Sequence, residues 1–301
     1  MTHTLAPNRA TLIGFTAILM WATLALLTEL SGDVPPFQLT AMSFAIAFCI
    51  GLGLWLRQGE SIIAHLTLPW PVWALGITGL FGYHFFYFLA LRNAPAVEAS
   101  LIAYLWPLLI VLLSALLPNE RLSMFHILGA ALGFVGAVVL VTKGQSFALN
   151  ADNVSGYLAA LVCAVLWSSY SVLSRRVGSI PSSSVGGFCG ATAILAAICH
   201  YSFEQTIIPQ GIEWLAILGL GLGPVGLAFF TWDVGVKFGN IKLLGVLSYL
   251  APLLSTVILI VVGLAEATVS VAIACMLIVG GALVASGRMA RRTPPTSSID
   301  D

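Results

Sequence analysis

Apolar runs of about twenty residues follow one another ten times along this chain, each parted from the next by a short break. A run of that length crosses ~30 Å of hydrocarbon as a helix. Lipid offers backbone N–H and C=O groups no partner, so such runs must be helices that satisfy their own hydrogen bonds. The pattern predicts spans over 11–30, 37–56, 70–91, 97–117, 123–142, 156–174, 183–203, 213–232, 241–263 and 268–287. Composition agrees: 59% hydrophobic and 8% charged residues leave too little polar surface for a soluble fold. The expected class is an all-α integral membrane bundle of ten transmembrane helices.

The breaks carry turn and charge signals, as in Gly32-Asp33-Val34-Pro35-Pro36, Arg57-Gln58-Gly59-Glu60, Pro118-Asn119-Glu120-Arg121 and Arg175-Arg176. Arg9, Arg57, Arg121, Arg175, Arg176, Lys237, Lys242, Arg288, Arg291 and Arg292 fall on the N-terminus, the even-numbered connections and the tail. Only Arg92 and Lys143 fall on the other side. Basic residues favour the cytoplasmic face, so both termini are expected there. The first run lacks an A-x-A cleavage site near its end and is expected to be a retained helix rather than a signal peptide. Residues 288–301 are expected to be a disordered cytoplasmic tail.

The chain also repeats itself. Tyr104-Leu105-Trp106-Pro107-Leu108-Leu109 returns as Tyr249-Leu250-Ala251-Pro252-Leu253-Leu254, and Gly136-Ala137-Val138-Val139 as Gly281-Ala282-Leu283-Val284. Trp21 and Pro35 are matched by Trp167 and Pro181, and Gly79-x-x-Gly82-x-x-Phe85-Phe86 by Gly223-x-x-Gly226-x-x-Phe229-Phe230. Two five-helix units, 10–143 and 154–287, are therefore expected. An odd number of spans inverts the second unit relative to the first. Inverted repeats in membranes point to transporters with a midplane site between the halves.

Candidate site residues follow from depth. Trp55, Trp70, Trp73, Trp214 and Trp232 lie at span ends, where amphipathic rings favour the interface. Trp21, Trp106 and Trp167 lie near span centres, where a buried indole N–H needs a partner. Tyr83, His84 and Tyr87 share a region of the third span, with Tyr104 beside Trp106 in the fourth and Tyr249 as its repeat counterpart. Together they are the expected wall of a polar-aromatic substrate cavity. Pro107, Pro252 and Pro224, the last following Gly223, are expected to interrupt their helices and free carbonyls, as gating elements or as simple kinks. The glycines at 76, 79, 82, 129, 133 and 136 are expected to let helices approach closely.

What is missing narrows the chemistry. There is no phosphate-binding G-x-x-x-x-G-K-[ST] loop, no set of metal ligands at suitable spacing and no nucleophile–base pair. Neither an enzyme nor a cofactor is expected. Cys49, Cys163, Cys189, Cys199 and Cys275 all fall in apolar runs and are expected to pack as small lipophilic side chains. Glu29, Glu98 and Asp233 lie near span ends and are expected to be solvated, which leaves His84 as the one deep titratable group. No buried lysine or arginine is expected.

Thr11-Leu12-Ile13-Gly14, Tyr104-Leu105-Trp106-Pro107, Leu166-Trp167, and Ser248-Tyr249 with Pro252 make the chain resemble the drug/metabolite transporter superfamily. The likeness runs from about Ala10 to Gly287 and is strongest to its ten-helix EamA-type members, within them to the bacterial aromatic amino-acid exporters. It implies a basket-shaped bundle in the inner membrane with a central cavity faced by His84, Tyr87, Tyr104, Trp106 and Trp167. With the inverted repeat, the expectation is a secondary transporter or facilitator that exports neutral, mainly aromatic amino acids and related small metabolites by alternating access. The partners expected are amino acids and the lipid bilayer, without nucleic acid, and the chain is expected as a monomer. An exporter of other drugs or metabolites, or a non-transporting receptor or structural bundle, are the alternatives.

Overall fold

Every apolar run is helical in the computed structural model, which describes residues 5–118, 120–146 and 149–286. The expected tail, 288–301, lies outside the described residues. The ten spans are, in order, Pro7–Glu29, Pro36–Gln58, Trp70–Asn93, Ala96–Leu116, Met124–Thr142, Ala151–Val177, Ser182–Phe203, Ile212–Phe238, Ile241–Val261 and Val269–Ser286. Each is long and apolar enough to cross a membrane, and the chain is a multi-pass membrane protein. Span one starts before the apolar run because Pro7 occupies the first helical position, where a missing N–H costs nothing. Span eight runs six residues past its apolar run, through Asp233 and Lys237, to Phe238. Those two charges pair with each other inside the bundle, so they do not end the helix.

Spans of the two repeats lie against each other in antiparallel pairs. The start of span two meets the end of span seven: the Glu204 carboxylate accepts the backbone N–H groups of Phe37 and Gln38 at 3.0 and 3.1 Å. The start of span seven meets the end of span two, where Trp55 Nε1 donates to Ser183 O at 2.9 Å. Midway, a Cβ added to Gly51 would lie 2.6 Å from Gly186 Cα, so two glycine backbones touch there. Spans five and ten pair likewise through Gly129 and Gly281, and spans one and eight through Gly14 and Gly235. Span three packs on span six and span four on span nine. The two repeats are thus interleaved rather than set side by side.

Four spans are interrupted at matched places. Spans three and eight carry π-helical turns at Thr78–Gly82 and Gly223–Leu227. Span four divides into Ala96–Ala103 and Trp106–Leu113, and span nine into Ile241–Leu247 and Leu250–Val261. Pro107 and Pro252 sit in the first turn of each second half, where the backbone N–H has no helical partner anyway. Span one is also broken, after Trp21, whereas its counterpart span six is helical from Val154 to Ser174.

Even-numbered connections gather at one end, which the first-repeat and second-repeat segments close together. Glu120 pairs with Arg175 at 3.4 Å and with Lys242, while Arg175 Nη1 donates to Gly239 O at 3.0 Å. Arg176 Nη2 donates to Leu116 O at 2.9 Å, and Thr11 Oγ1 accepts from Asn240 N at 2.8 Å. This basic end is knit across spans one, four, six, eight and nine. At the opposite end the ties are peripheral, joining span two to seven through Glu204 and the start of span four to the start of span six through Glu98 and Tyr157.

Candidate functional site

A layer of four indoles crosses the middle of the bundle. The Trp21 ring centre lies 6.1 Å from Trp106, 5.8 Å from Trp167 and 5.0 Å from Trp232. Trp106, Trp167 and Trp232 lie 6.0 to 6.3 Å from one another, mostly edge to face. Spans one, four, six and eight each contribute one ring. Trp21 Nε1 donates to Pro224 O at 3.0 Å, so a carbonyl of the π-turn in span eight is occupied by a side chain of span one.

Trp232 corrects the expectation of an interfacial ring: it is 0% exposed and donates to Ser171 Oγ at 3.0 Å. Trp55 is equally buried and stacks on His65, with ring centres 4.6 Å apart. Trp70 and Trp214, at 79% and 50% exposed, do sit on the outside. Trp73 is half-buried against Phe188. Position along a helix gives depth only; which way a ring faces is a matter of the helix's rotation in the bundle. A signal existed for Trp232, since it stands one helical turn beyond Phe229 and beside Asp233.

On the side of the layer away from the basic end lie the polar aromatic residues. Tyr83 packs on Trp167 at 5.8 Å, stacks parallel with Tyr87 at 6.1 Å and meets His84 at 5.3 Å. His84 Nδ1 lies 2.8 Å from Leu80 O, and its ring stands on Phe44 at 5.2 Å. Tyr87 OH pairs with Ser100 Oγ at 3.3 Å, joining spans three and four. Tyr83, His84, Tyr87 and Tyr104 are half-buried, whereas Trp106, Trp167 and Trp232 are buried. The geometry is a buried indole floor with half-open polar rings above it.

Of the residues expected at a cavity wall, the structure brings together Trp21, Trp106, Trp167, Tyr83, His84 and Tyr87. It sets Tyr249 apart: that ring is fully buried against Gly133 and Phe134 of span five, and its OH donates to Tyr104 O at 3.3 Å. Tyr104 is therefore held by its own repeat counterpart. Pro107 and Pro252 lie buried at the breaks in spans four and nine, and Gly223 with Pro224 opens the π-turn of span eight.

On the other side of the floor the structure holds what the sequence reading placed in solvent. Asp233 is 2% exposed, and its Oδ2 lies 2.7 Å from Lys237 Nζ, one helical turn on. Lys237 is buried too and donates to Ile180 O at 3.0 Å. His84 is thus not the only deep titratable group, and a buried lysine is present after all. The expected water at this span end is excluded because span eight continues into protein contacts with spans one and six and the 6–7 connection. Glu98, also expected in solvent, accepts the Tyr157 hydroxyl. Cys163, Cys189 and Cys199 are buried and Cys49 and Cys275 exposed, all as free thiols.

With this geometry established, relatives can be compared. The EamA-like transporter family model matches residues 8–142 and again 154–287. The aromatic amino acid exporter YddG of Ancylobacter novellus is 57% identical over 286 residues, covering 95% of this chain and 99% of that protein. A protein of the same name from Salmonella typhimurium is 24% identical, covering 83% of this chain and 87% of its own. The transporter YyaM of Bacillus subtilis is 26% identical over 92% of each. A crystal structure of a protein 57% identical in sequence superposes with a TM-score of 0.88, covering 92% of this chain and 98% of the other. These relatives are transporters rather than enzymes. A duplicated model match across both five-span units, on a bundle of ten spans, makes the chain a member of the EamA-like transporter family.

Proposed function

We propose that this protein exports neutral, mainly aromatic amino acids across a bacterial inner membrane, with both termini in the cytoplasm. The observation that carries this reading is the indole floor with Tyr83, His84, Tyr87 and Tyr104 ranged on one side of it. Rings at such spacing stack on an aromatic side chain, each contact contributing about 0.5–1.5 kcal/mol. Hydroxyl and imidazole groups just above that floor suit the polar part of the substrate. The name of the 57%-identical Ancylobacter relative supports the substrate class. Gathering of Arg9, Arg57, Arg121, Arg175, Arg176, Lys237 and Lys242 at one end supports a cytoplasmic basic end.

Transport proceeds by alternating access. The cross-braced basic end and the half-open tyrosines on the other side of the floor fit a state open to the outside. Breaking the basic-end ties while the opposite end closes would present the same floor to the cytoplasm. Matched interruptions in spans three and eight, and in four and nine, supply hinges for both motions.

The test is uptake of labelled phenylalanine, tyrosine and tryptophan into proteoliposomes of the purified protein, with leucine and a cationic dye as competitors. Saturable aromatic amino-acid flux is expected. Trp106→Ala and His84→Ala should each lower kcat/KM roughly threefold to tenfold, one ring contact's worth, with insertion intact. Absence of flux of any amino acid would overturn the reading and favour a receptor or structural bundle; flux of the dye alone would reassign the substrate.

A further inference from the structure

Beneath the indole floor, toward the basic end, a second polar constellation is buried between spans six and eight and the 6–7 connection. Its charged members are Asp233 and Lys237, paired at 2.7 Å and nearly inaccessible. Two hydroxyls adjoin the pair. Tyr170 and Asp233 are buried beyond nine-tenths, and the charge of Asp233 acts on the Tyr170 hydroxyl while Ser182 Oγ lies beside the carboxylate. An ion pair buried inside a membrane span is costly and marks a functional place, and here two hydroxyls stand beside it.

The constellation is continuous with the floor. Trp167 stacks on Tyr170 with ring centres 5.3 Å apart, and Trp232 precedes Asp233 on span eight.

We propose that Asp233 and Lys237, with Tyr170 and Ser182, form a second receptor for the amino-acid zwitterion, which they occupy with their own charges while the basic end is shut. Entry of substrate exchanges one ion pair for two: the α-carboxylate meets the Lys237 ammonium and the α-ammonium meets the Asp233 carboxylate. No net charge is buried by that exchange, whereas a substrate carrying a single charge leaves one of the pair uncompensated. Lys237 keeps its bond to Ile180 O, which holds the ammonium in place. The hydroxyls of Tyr170 and Ser182 accept or donate to whichever substrate oxygen or N–H remains. On an exporter this station comes before the floor, so it selects zwitterions at the point of entry. The inference rests on the amino-acid export reading above and names where that substrate's charged groups are read.

The experiment uses full-length protein in proteoliposomes, with labelled phenylalanine presented to the basic end and phenylalanine methyl ester and 3-phenylpropionate as competitors. Wild-type protein is expected to prefer phenylalanine to either competitor by at least about tenfold, the worth of a charge-assisted hydrogen bond. Lys237→Met should raise KM for phenylalanine by a similar factor and abolish discrimination against the methyl ester; Asp233→Asn should abolish discrimination against 3-phenylpropionate. Because loss of one partner strands a buried charge, the exchanged pair D233K/K237D serves as a second variant, monodisperse in detergent and expected to keep zwitterion preference with altered KM. Variants that transport with unchanged KM and selectivity, or with lowered kcat alone, would overturn the receptor and leave the pair as a structural tie. Failure of wild-type protein to carry any amino acid would instead overturn the export reading itself.

Discussion

At the scale of single residues, the bundle is governed by where polar atoms of large rings find partners. Trp21, Trp55 and Trp232 each place an indole N–H on an oxygen of another span or connection, at 2.9 to 3.0 Å. Replacing Trp232 by Phe removes the donor and strands Ser171 Oγ, which should cost about 1 kcal/mol of stability. Thermal unfolding in detergent, as a double-mutant cycle with Ser171→Ala, should give a coupling of that size; a coupling near zero would show that the bond contributes nothing net. Depth was legible for Trp21, Trp106 and Trp167, since span boundaries follow from hydropathy, but not for Trp232, whose span runs on to Phe238 and carries the ring into the floor. Nor was facing: Trp232 and Trp214 look alike in a linear reading, yet one is buried and the other exposed. Asp233 was misplaced for the same reason, because its partner Lys237 completes the charge pair only if both project into protein rather than water.

At the scale of elements, pairs of spans are set by small residues in contact. Gly51 and Gly53 stand two apart on span two and make a natural comparison. A Cβ at Gly51 would meet the Gly186 backbone, whereas one at Gly53 would meet nothing within 4 Å. Gly51→Val should therefore destabilise by about 1–3 kcal/mol through overpacking, seen as a fall in melting temperature, and Gly53→Val should leave it nearly unchanged. Equal effects at both sites would refute the close approach of spans two and seven. The repeat itself was visible in the sequence through Pro107 and Pro252, and both prolines do mark interrupted helices. What remained hidden was the pairing across repeats, since a glycine in an apolar run announces close packing without naming its neighbour.

At the scale of the whole molecule, one end is braced and the other is tied only at its margins. Glu120 joins Arg175 and Lys242, so it bridges the 4–5 connection to the end of span six and to span nine. Glu120→Gln should weaken both pairs, each worth about 0.2–1 kcal/mol when partly screened, and shift the population toward a state open at the basic end by roughly twofold to tenfold. Hydrogen exchange at the backbone amides of residues 116–121 and 239–242 should then quicken by that factor; unchanged exchange would remove the brace from the mechanism. Membrane residence, the ten spans and the duplication follow from the sequence by itself, because lipid imposes helix length and backbone self-satisfaction on any chain of this hydropathy. The indole floor, the interleaved repeats and the buried Asp233–Lys237 pair were decided only by tertiary structure. Hydropathy is nearly uniform around each helix here, so it leaves rotation and partner undetermined, and those are set by side chains meeting across the bundle.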